Sequence, residues 1–389
     1  MVSATPRPLT WQPLSRASSI SFSCPSWAPT PRRSRDAIPH HPSSRDMPLP
    51  DERSRVPTMK LLLIVNPSAS SVTARTRIVI QKALSADHRL EVAATTRRGH
   101  ATRLAQSAAN DGIDVVVVLG GDGTLNEAAN GLVGTETALA ALPGGSTNVF
   151  ARTLGLPDDP VEATGALLDA IDAAAIRRVG LGSVNDRHFL FHAGIGFDAA
   201  VVEQVERRGG LLKRFAGHPL YIAATIDTWI RHYDHRRPAF RVTFPTDVDP
   251  TTGQSTGGTS DGGPGIPGVF AACLNTDPYT YLGTRGLSLA PAATLDSPLS
   301  VATFRNLSAV TLATTLAAAL GLQSARRPRS DGRAGLEVRD GVELAEVIAS
   351  RPLPWQVDGD HVGEAERLVV RHHPDVMDLV VPLASPAFS

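Results

Sequence analysis

Residues 115–132, VVVVLGGDGTLNEAANGL, run from five apolar residues straight into a Gly-Gly-Asp-Gly turn and then into a helical pattern. An unbroken apolar run bounded by turn residues is a strand buried on both faces. Behind it Leu125, Ala128, Ala129 and Leu132 recur at helical spacing. A strand, a glycine turn and a helix in that order bring backbone N–H groups and the positive end of a helix to one point, which suits a phosphate. Such a unit belongs in a parallel sheet covered by helices, with ligands at the carboxyl ends of the strands.

The neighbouring sequence repeats the alternation. Lys60–Val65, Arg89–Thr95 and Ala138–Leu142 read as further strands. Ala74–Leu84, Ala101–Asn110 and Pro160–Ala174 read as helices. The texture then changes. Arg177–Val184 and His188–Ala193, joined by Asn185-Asp186, give a hairpin signal. Helical stretches at Phe197–Arg207 and Leu211–Tyr233 follow. Short strands come next at Phe240–Phe244, Gly268–Asn275, Leu299–Phe304, Leu353–Val357 and Arg367–His372. These predict a second, mostly antiparallel domain, interrupted by a flexible Gly-, Thr- and Ser-rich insertion at 246–267. LSAVTLATTLAAALGL at 307–322 is too short to span a membrane and reads as a packed helix.

Residues 1–58 are rich in Ser, Pro and Arg without sustained periodicity. The expectation is a disordered extension or a start assigned too early, Met59 being a natural first residue; an organellar transit peptide shares this composition. Formal net charge is zero, so nothing points to nucleic acid. Cys24 and Cys273 fit no disulfide framework or zinc spacing, which implies a reducing, cytoplasmic setting. Arginine is the dominant base: the lysines are Lys60, Lys82 and Lys213 alone.

Four polar loops follow successive predicted strands. Gly120, Gly121 and Gly123 let backbone approach a ligand, and Asp122 suits a hydroxyl or, through water, a magnesium ion accompanying a nucleotide. A structural turn capped by Asp is the plainer alternative, against which three glycines around one acid weigh. In LPGGSTNVFAR at 142–152, Gly145 gives the turn, Ser146 and Thr147 can donate to phosphate oxygens, and Asn148 can fix the loop or a sugar hydroxyl. NPSASS at 66–71 offers Asn66, and TTRRGHA at 95–101 offers Thr95 and two arginines. Each alone is an ordinary polar turn; four after successive strands of one sheet converge on one crevice. No G-x-x-x-x-G-K-[ST] or H-E-x-x-H is present. GIGFDA at 194–199 imitates a dinucleotide fingerprint, but its strand leaves a hairpin rather than a crossover.

GGDGTLNEAANGL, LPGGSTN, GIGFDA, the NP after the first strand and VDGD at 357–360 together resemble the diacylglycerol kinase catalytic family, which includes bacterial lipid kinases and sphingosine kinases. The resemblance runs from about Met59 to Pro382. It implies an α/β fold: a Rossmann-like three-layer domain with a parallel sheet over 59–178, to which 374–389 returns, and an antiparallel β-sandwich domain over 179–373. It also implies ATP and Mg²⁺ as cofactors. Asn66, Thr95, Gly121, Asp122, Gly123, Thr124, Asn126 and Ser146 fall where the family contacts ATP. Asp360 falls where it carries an acid, often Glu, as general base; with Asp122 it makes up the candidate catalytic pair. Asp358 would support the turn or hold water near the metal.

The chain departs from the family in two places. Asp360 is one carbon shorter than Glu, and Ser297-Pro298 stands where many members have Asp-Gly in a loop linked to a structural magnesium, leaving Asp296 as the candidate ligand. The implied reaction is phosphoryl transfer from ATP to the hydroxyl of a diacylglycerol-like lipid. An NAD kinase-like enzyme and a nucleotide-binding module without turnover are the alternatives. RRGGLLKRFAGHPLYI at 207–222 mixes basic and apolar residues as a peripheral contact with the inner face of a membrane would, though a loop leading into a core helix has the same composition. The identity of the lipid and the oligomeric state have no short signature.

Overall fold

The computed structural model describes residues 58–197, 199–201, 237–245, 265–319 and 335–388. The segment up to residue 57, Asp198, the stretch 207–222, the helix expected at 211–233 and residues 246–264 of the insertion lie outside them.

Strands β1 (Lys60–Val65), β2 (Arg89–Ala94), β3 (Val115–Gly120) and β4 (Ala138–Pro143) form a parallel array in the order β2-β1-β3-β4. Every residue of β3 and β4 is buried, as their unbroken apolar sequences require. Helices α1 (Ala74–Leu84), α2 (His100–Asn110), α3 (Asp122–Leu132) and α5 (Pro160–Asp172) supply the other half of that core. Local chemistry starts α5: Asp159 Oδ1 accepts from the N–H groups of Val161 and Glu162 at 2.9 and 3.0 Å, and Pro160 opens the helix. Helices α2 and α3 lie close because Gly131 has no side chain; a Cβ there would meet Thr102 O and Ala105 Cβ.

The antiparallel half begins at β5 (Ile176–Val184) and β6 (Arg187–Phe189) and continues through β7 (His192–Gly196), β8 (Phe240–Thr243), β9 (Ile266–Gly268) and β10 (Phe270–Leu274). A small separate hairpin, β11 (Thr280–Leu282) and β12 (Arg285–Leu287), follows. Then come β13 (Leu299–Phe304), β14 (Leu336–Val342), β15 (Leu344–Val357) and β16 (Asp360–Val380). Strand β15 pairs at its start with β8 and at its end with β7. The side chains of both stretches enclose a second core with Val301, Leu368 and Val370. Strand β16 runs from the VDGD turn back to the parallel array, where Leu379 pairs with Leu139 of β4. Parallel and antiparallel parts are thereby one fourteen-stranded mixed sheet among the described residues.

The structure corrects four details of the sequence reading. The expected strand His188–Ala193 is broken into β6 and β7, because the N–H groups between them bond to a buried carboxylate described below. The short strands expected at Leu353–Val357 and Arg367–His372 are parts of the much longer β15 and β16. The five-residue helix α4 (Val149–Thr153) has no periodic signature and was not expected. The helix at Ala309–Ala319, here α6, packs Leu312 on a third core but leaves Val310 at 72% exposure and Thr311 buried, so it is only half a packed helix.

Candidate functional site

All four parallel strands end on one side, and their loops meet there. Gly144 N–H donates to Gly120 O at 2.8 Å. A Cβ on Gly145 would approach Gly121 Cα to 2.8 Å, so the two glycine turns stack backbone on backbone, and any side chain would part them. The loop after β1 joins them: Ser71 N–H donates to Gly144 O at 2.9 Å, and Asn66 Nδ2 donates to Thr124 Oγ1 at 2.9 Å. The loop after β2, where Thr95 N–H donates to Val65 O at 2.8 Å, is tied to α3 instead. Glu127 accepts from the N–H groups of Gly99 and Ala101 at 2.7 and 3.2 Å.

Asp122 opens α3, and its two oxygens accept from Val149 and Phe150 N–H at 3.0 and 3.2 Å. These are orphan donors at the start of α4, so Asp122 clamps the second glycine loop to the first. Burial pushes its carboxyl up to about 6, opposed by the two N–H donors and assisted by the charge of Asp360. Asn148, left-handed at φ 47°, closes its own loop: its amide accepts from Gly145 N–H at 2.7 Å and donates to Gly145 O at 3.0 Å. Of the two roles expected for Asn148, fixing the loop is the one these bonds perform. Ser146 is exposed and Thr147 half-buried at the same turn.

Asn126, expected to contact ATP, and Asp358, expected to support the turn or hold water near the metal, are both buried. Asp358 is 3% exposed, and its carboxylate receives four N–H groups. Leu190, Phe191 and His192 donate from the backbone at 2.7, 3.0 and 3.1 Å, and Asn126 Nδ2 donates at 2.7 Å. Burial raises its carboxyl to about 7 against the pull of those donors. Asn126, 1% exposed, also donates to His188 O at 2.9 Å and accepts from Arg187 Nη2 at 2.6 Å. Both side chains are consumed by a joint between α3 and the antiparallel half, because their polar atoms would otherwise be buried without partners.

Asp360, two residues on, faces the other way. Its carboxylate lies where a side chain on Gly123 would stand, against the first turn of α3. Arg98 Nη2 is 3.7 Å from its Oδ1. Gln356 braces the turn by accepting from Gly359 N–H at 2.8 Å.

Asp296 does not suit a metal. Arg177 Nη2 sits 2.8 Å from its Oδ1, so a guanidinium already answers its charge. Among the described residues no three His, Cys, Asp or Glu side chains come together as a metal would need. Residues that sequence reasoning missed are Glu127, which holds the loop after β2, and, in the joint, Asn130, which bonds to the His188 backbone, Arg187 and the 190–192 backbone. One signal was available. Asp122, Asn126 and Asn130 recur every four residues, a polar stripe beside the apolar one of α3.

Residues 60–186 match the model of the diacylglycerol kinase catalytic domain. Over that stretch the chain is similar to that family. Among curated relatives of this family, it is 36% identical over 163 residues to a Chromohalobacter salexigens protein named "Probable lipid kinase YegS-like", covering 41% of this chain and 50% of that one. It is 34% identical over 139 residues to the "Diacylglycerol kinase" of Bacillus subtilis, covering 34% and 45%. The chain thus spans about half the length of the curated relatives it matches. Its fold is similar to the crystal structure of a diacylglycerol kinase from Bacillus anthracis str. Sterne, with TM-score 0.59, 20% identity and coverage of 84% of this chain and 98% of that one.

Proposed function

We propose that this chain is an ATP-dependent lipid kinase that phosphorylates the hydroxyl of diacylglycerol or a similar lipid alcohol. The observation that carries the reading is Asp360 lying against Gly123, which sets a carboxylate beside the glycine turn across the cleft. Glycine at that position also answers the shortness of Asp relative to Glu, since the acid has nothing to reach around. Asp360 takes the proton of the lipid hydroxyl while its oxygen bonds to the γ-phosphorus. The bond from that phosphorus to the β–γ bridging oxygen breaks, and ADP leaves.

Mg²⁺, carried on the nucleotide's own phosphates, would neutralise part of their charge. Gly120, Gly121, Gly123 and Gly145 admit the phosphates to the backbone; Asn66, Thr95, Thr124, Ser146 and Thr147 supply polar groups around them. Asp122 acts by positioning the second loop. The lipid is taken from a membrane surface by peripheral contact; among the described residues no helix is long and apolar enough to cross one.

Labelled ATP offered with diacylglycerol, a sphingoid base, a prenyl alcohol, a glycolipid and NAD tests this directly. The expected product is a phosphorylated lipid, lost in Asp360→Ala. Phosphorylation of NAD alone would replace the lipid reading with the NAD kinase-like one, and undiminished lipid turnover in the variant would strip Asp360 of its role.

A further inference from the structure

Ser297-Pro298 lies in the loop joining β12 to β13, where an Asp-Gly pair and a structural magnesium go together in the family this chain resembles. A hard cation there would need several oxygens with lone pairs to spare, carboxylates foremost. This loop spends its oxygens otherwise. Ser297 Oγ accepts from Thr294 N–H at 3.3 Å and lies 3.0 and 3.4 Å from the carbonyl oxygens of Thr294 and Ala292, so a hydroxyl hydrogen serves where a cation would. Asp277 secures the first half of the loop. It accepts from Leu289 and Ala290 N–H at 3.1 and 3.2 Å, and its own N–H donates to Ala293 O at 3.0 Å. Asp296, the single acid of the loop, receives Arg177 Nη2 at 2.8 Å.

Arg177 is itself held from behind. It lies near the start of β5, in register with Leu379 of β16. Its Cζ stands 4.0 Å from the centroid of the Phe388 ring, on the segment that follows β16. That segment returns to the loop: Leu295 N–H donates to Ala387 O at 3.1 Å. Leu295 and Ala387 are both buried in the first core, against which Phe388 packs. A Cβ on Gly155, just past α4, would come within 2.9 Å of Pro386 Cδ, so the same segment is seated on that side too. An ion pair with side chains 49% and 33% exposed contributes little by itself. Here one guanidinium is paired on one side and stacked on the other, next to a buried leucine and a main-chain bond, and each contact holds the next in place.

We propose that Arg177 and Phe388 clamp the 290–298 loop in place of a metal, the segment after β16 forming the outer jaw. The loop then keeps its shape with no cation bound. This goes beyond the reaction and stands whatever the acceptor proves to be.

The test is hydrogen exchange followed by mass spectrometry on the full chain, with neither nucleotide nor lipid present. Peptides covering 288–299 should exchange alike in EDTA and in excess Mg²⁺. Phe388→Ala removes the stacking partner and should speed their exchange about 3- to 10-fold, the factor that one partly buried cation–π contact carries. Arg177→Ala removes the ion pair as well and should speed it further. Peptides of β3 should exchange as in wild type in both variants, which separates local opening from misfolding. Protection of 288–299 by Mg²⁺ in the wild type would overturn the proposal, and so would unchanged exchange there in the two variants. A uniform rise over the whole chain would also overturn it, by making these contacts part of global stability. Because no substrate is present, failure of every lipid to be phosphorylated would leave the result standing. Conversely, a lipid kinase whose loop is protected by Mg²⁺ would keep the function and discard the inference.

Discussion

Asp358 and Asp360 share one turn but serve two regions of the molecule. Asp358 points back into the joint, where four N–H groups surround it and water is excluded. Asp360 points forward into the cleft, half-buried, with a glycine before it and an arginine beside it. The same side chain is thus structural in one place and available for chemistry in the other. What separates them is burial: Asp358 is sealed in the joint with its acceptor sites filled, while the Asp360 side chain keeps part of its surface open.

The contrast yields its largest test at Asp360. Asp360→Asn should cut lipid turnover about 10²- to 10⁴-fold, the range of a lost general base, while leaving the denaturation midpoint in place. Equal losses of activity and stability would make both acids structural. Asp358→Ala should do the opposite, lowering unfolding free energy by about 3–5 kcal/mol in urea titrations, because it orphans buried donors. A stable Asp358→Ala protein without activity would move Asp358 into the cleft's chemistry.

A smaller effect sharpens the picture of the joint through His192, which is buried and follows the broken strand. Burial lowers its imidazole to about 3, below the ordinary 6.5, and its Nδ1 has no hydrogen-bond partner among the described residues. The unfolded chain therefore takes up that proton first as pH falls. The stability His192 confers is full above about pH 6.5 and declines towards pH 3, by about 2 kcal/mol at pH 5. His192→Phe should flatten that part of the wild-type decline between pH 7 and pH 5, as followed by denaturant unfolding at each pH. The smallest effect lies far from both acids: Asp159→Ala should cost about 1 kcal/mol through the lost cap of α5, with nucleotide affinity unchanged.

The parallel half was legible almost to the residue. Strand β1 and helix α1 begin and end where the apolar runs and turn residues place them, at Lys60–Val65 and Ala74–Leu84. Strands buried on both faces write their position as unbroken apolar runs. Strands β15 and β16 do not, because they serve different neighbours along their 14 and 21 residues and their buried faces change on the way. Helix α4 was invisible for another reason: five residues are too few for periodicity, and its first turn is held by Asp122 from a different loop.

The sequence by itself determined the alternation of strands and helices, the glycine turns at the carboxyl ends of the strands, and the family those turns resemble. Local spacing and backbone freedom carry that much, since each depends only on near neighbours in the chain. Tertiary structure alone decided which polar residues meet a ligand. Asn126 and Asp358 are 232 positions apart, and only the fold fills the acceptors of one acid while leaving its neighbour facing the cleft.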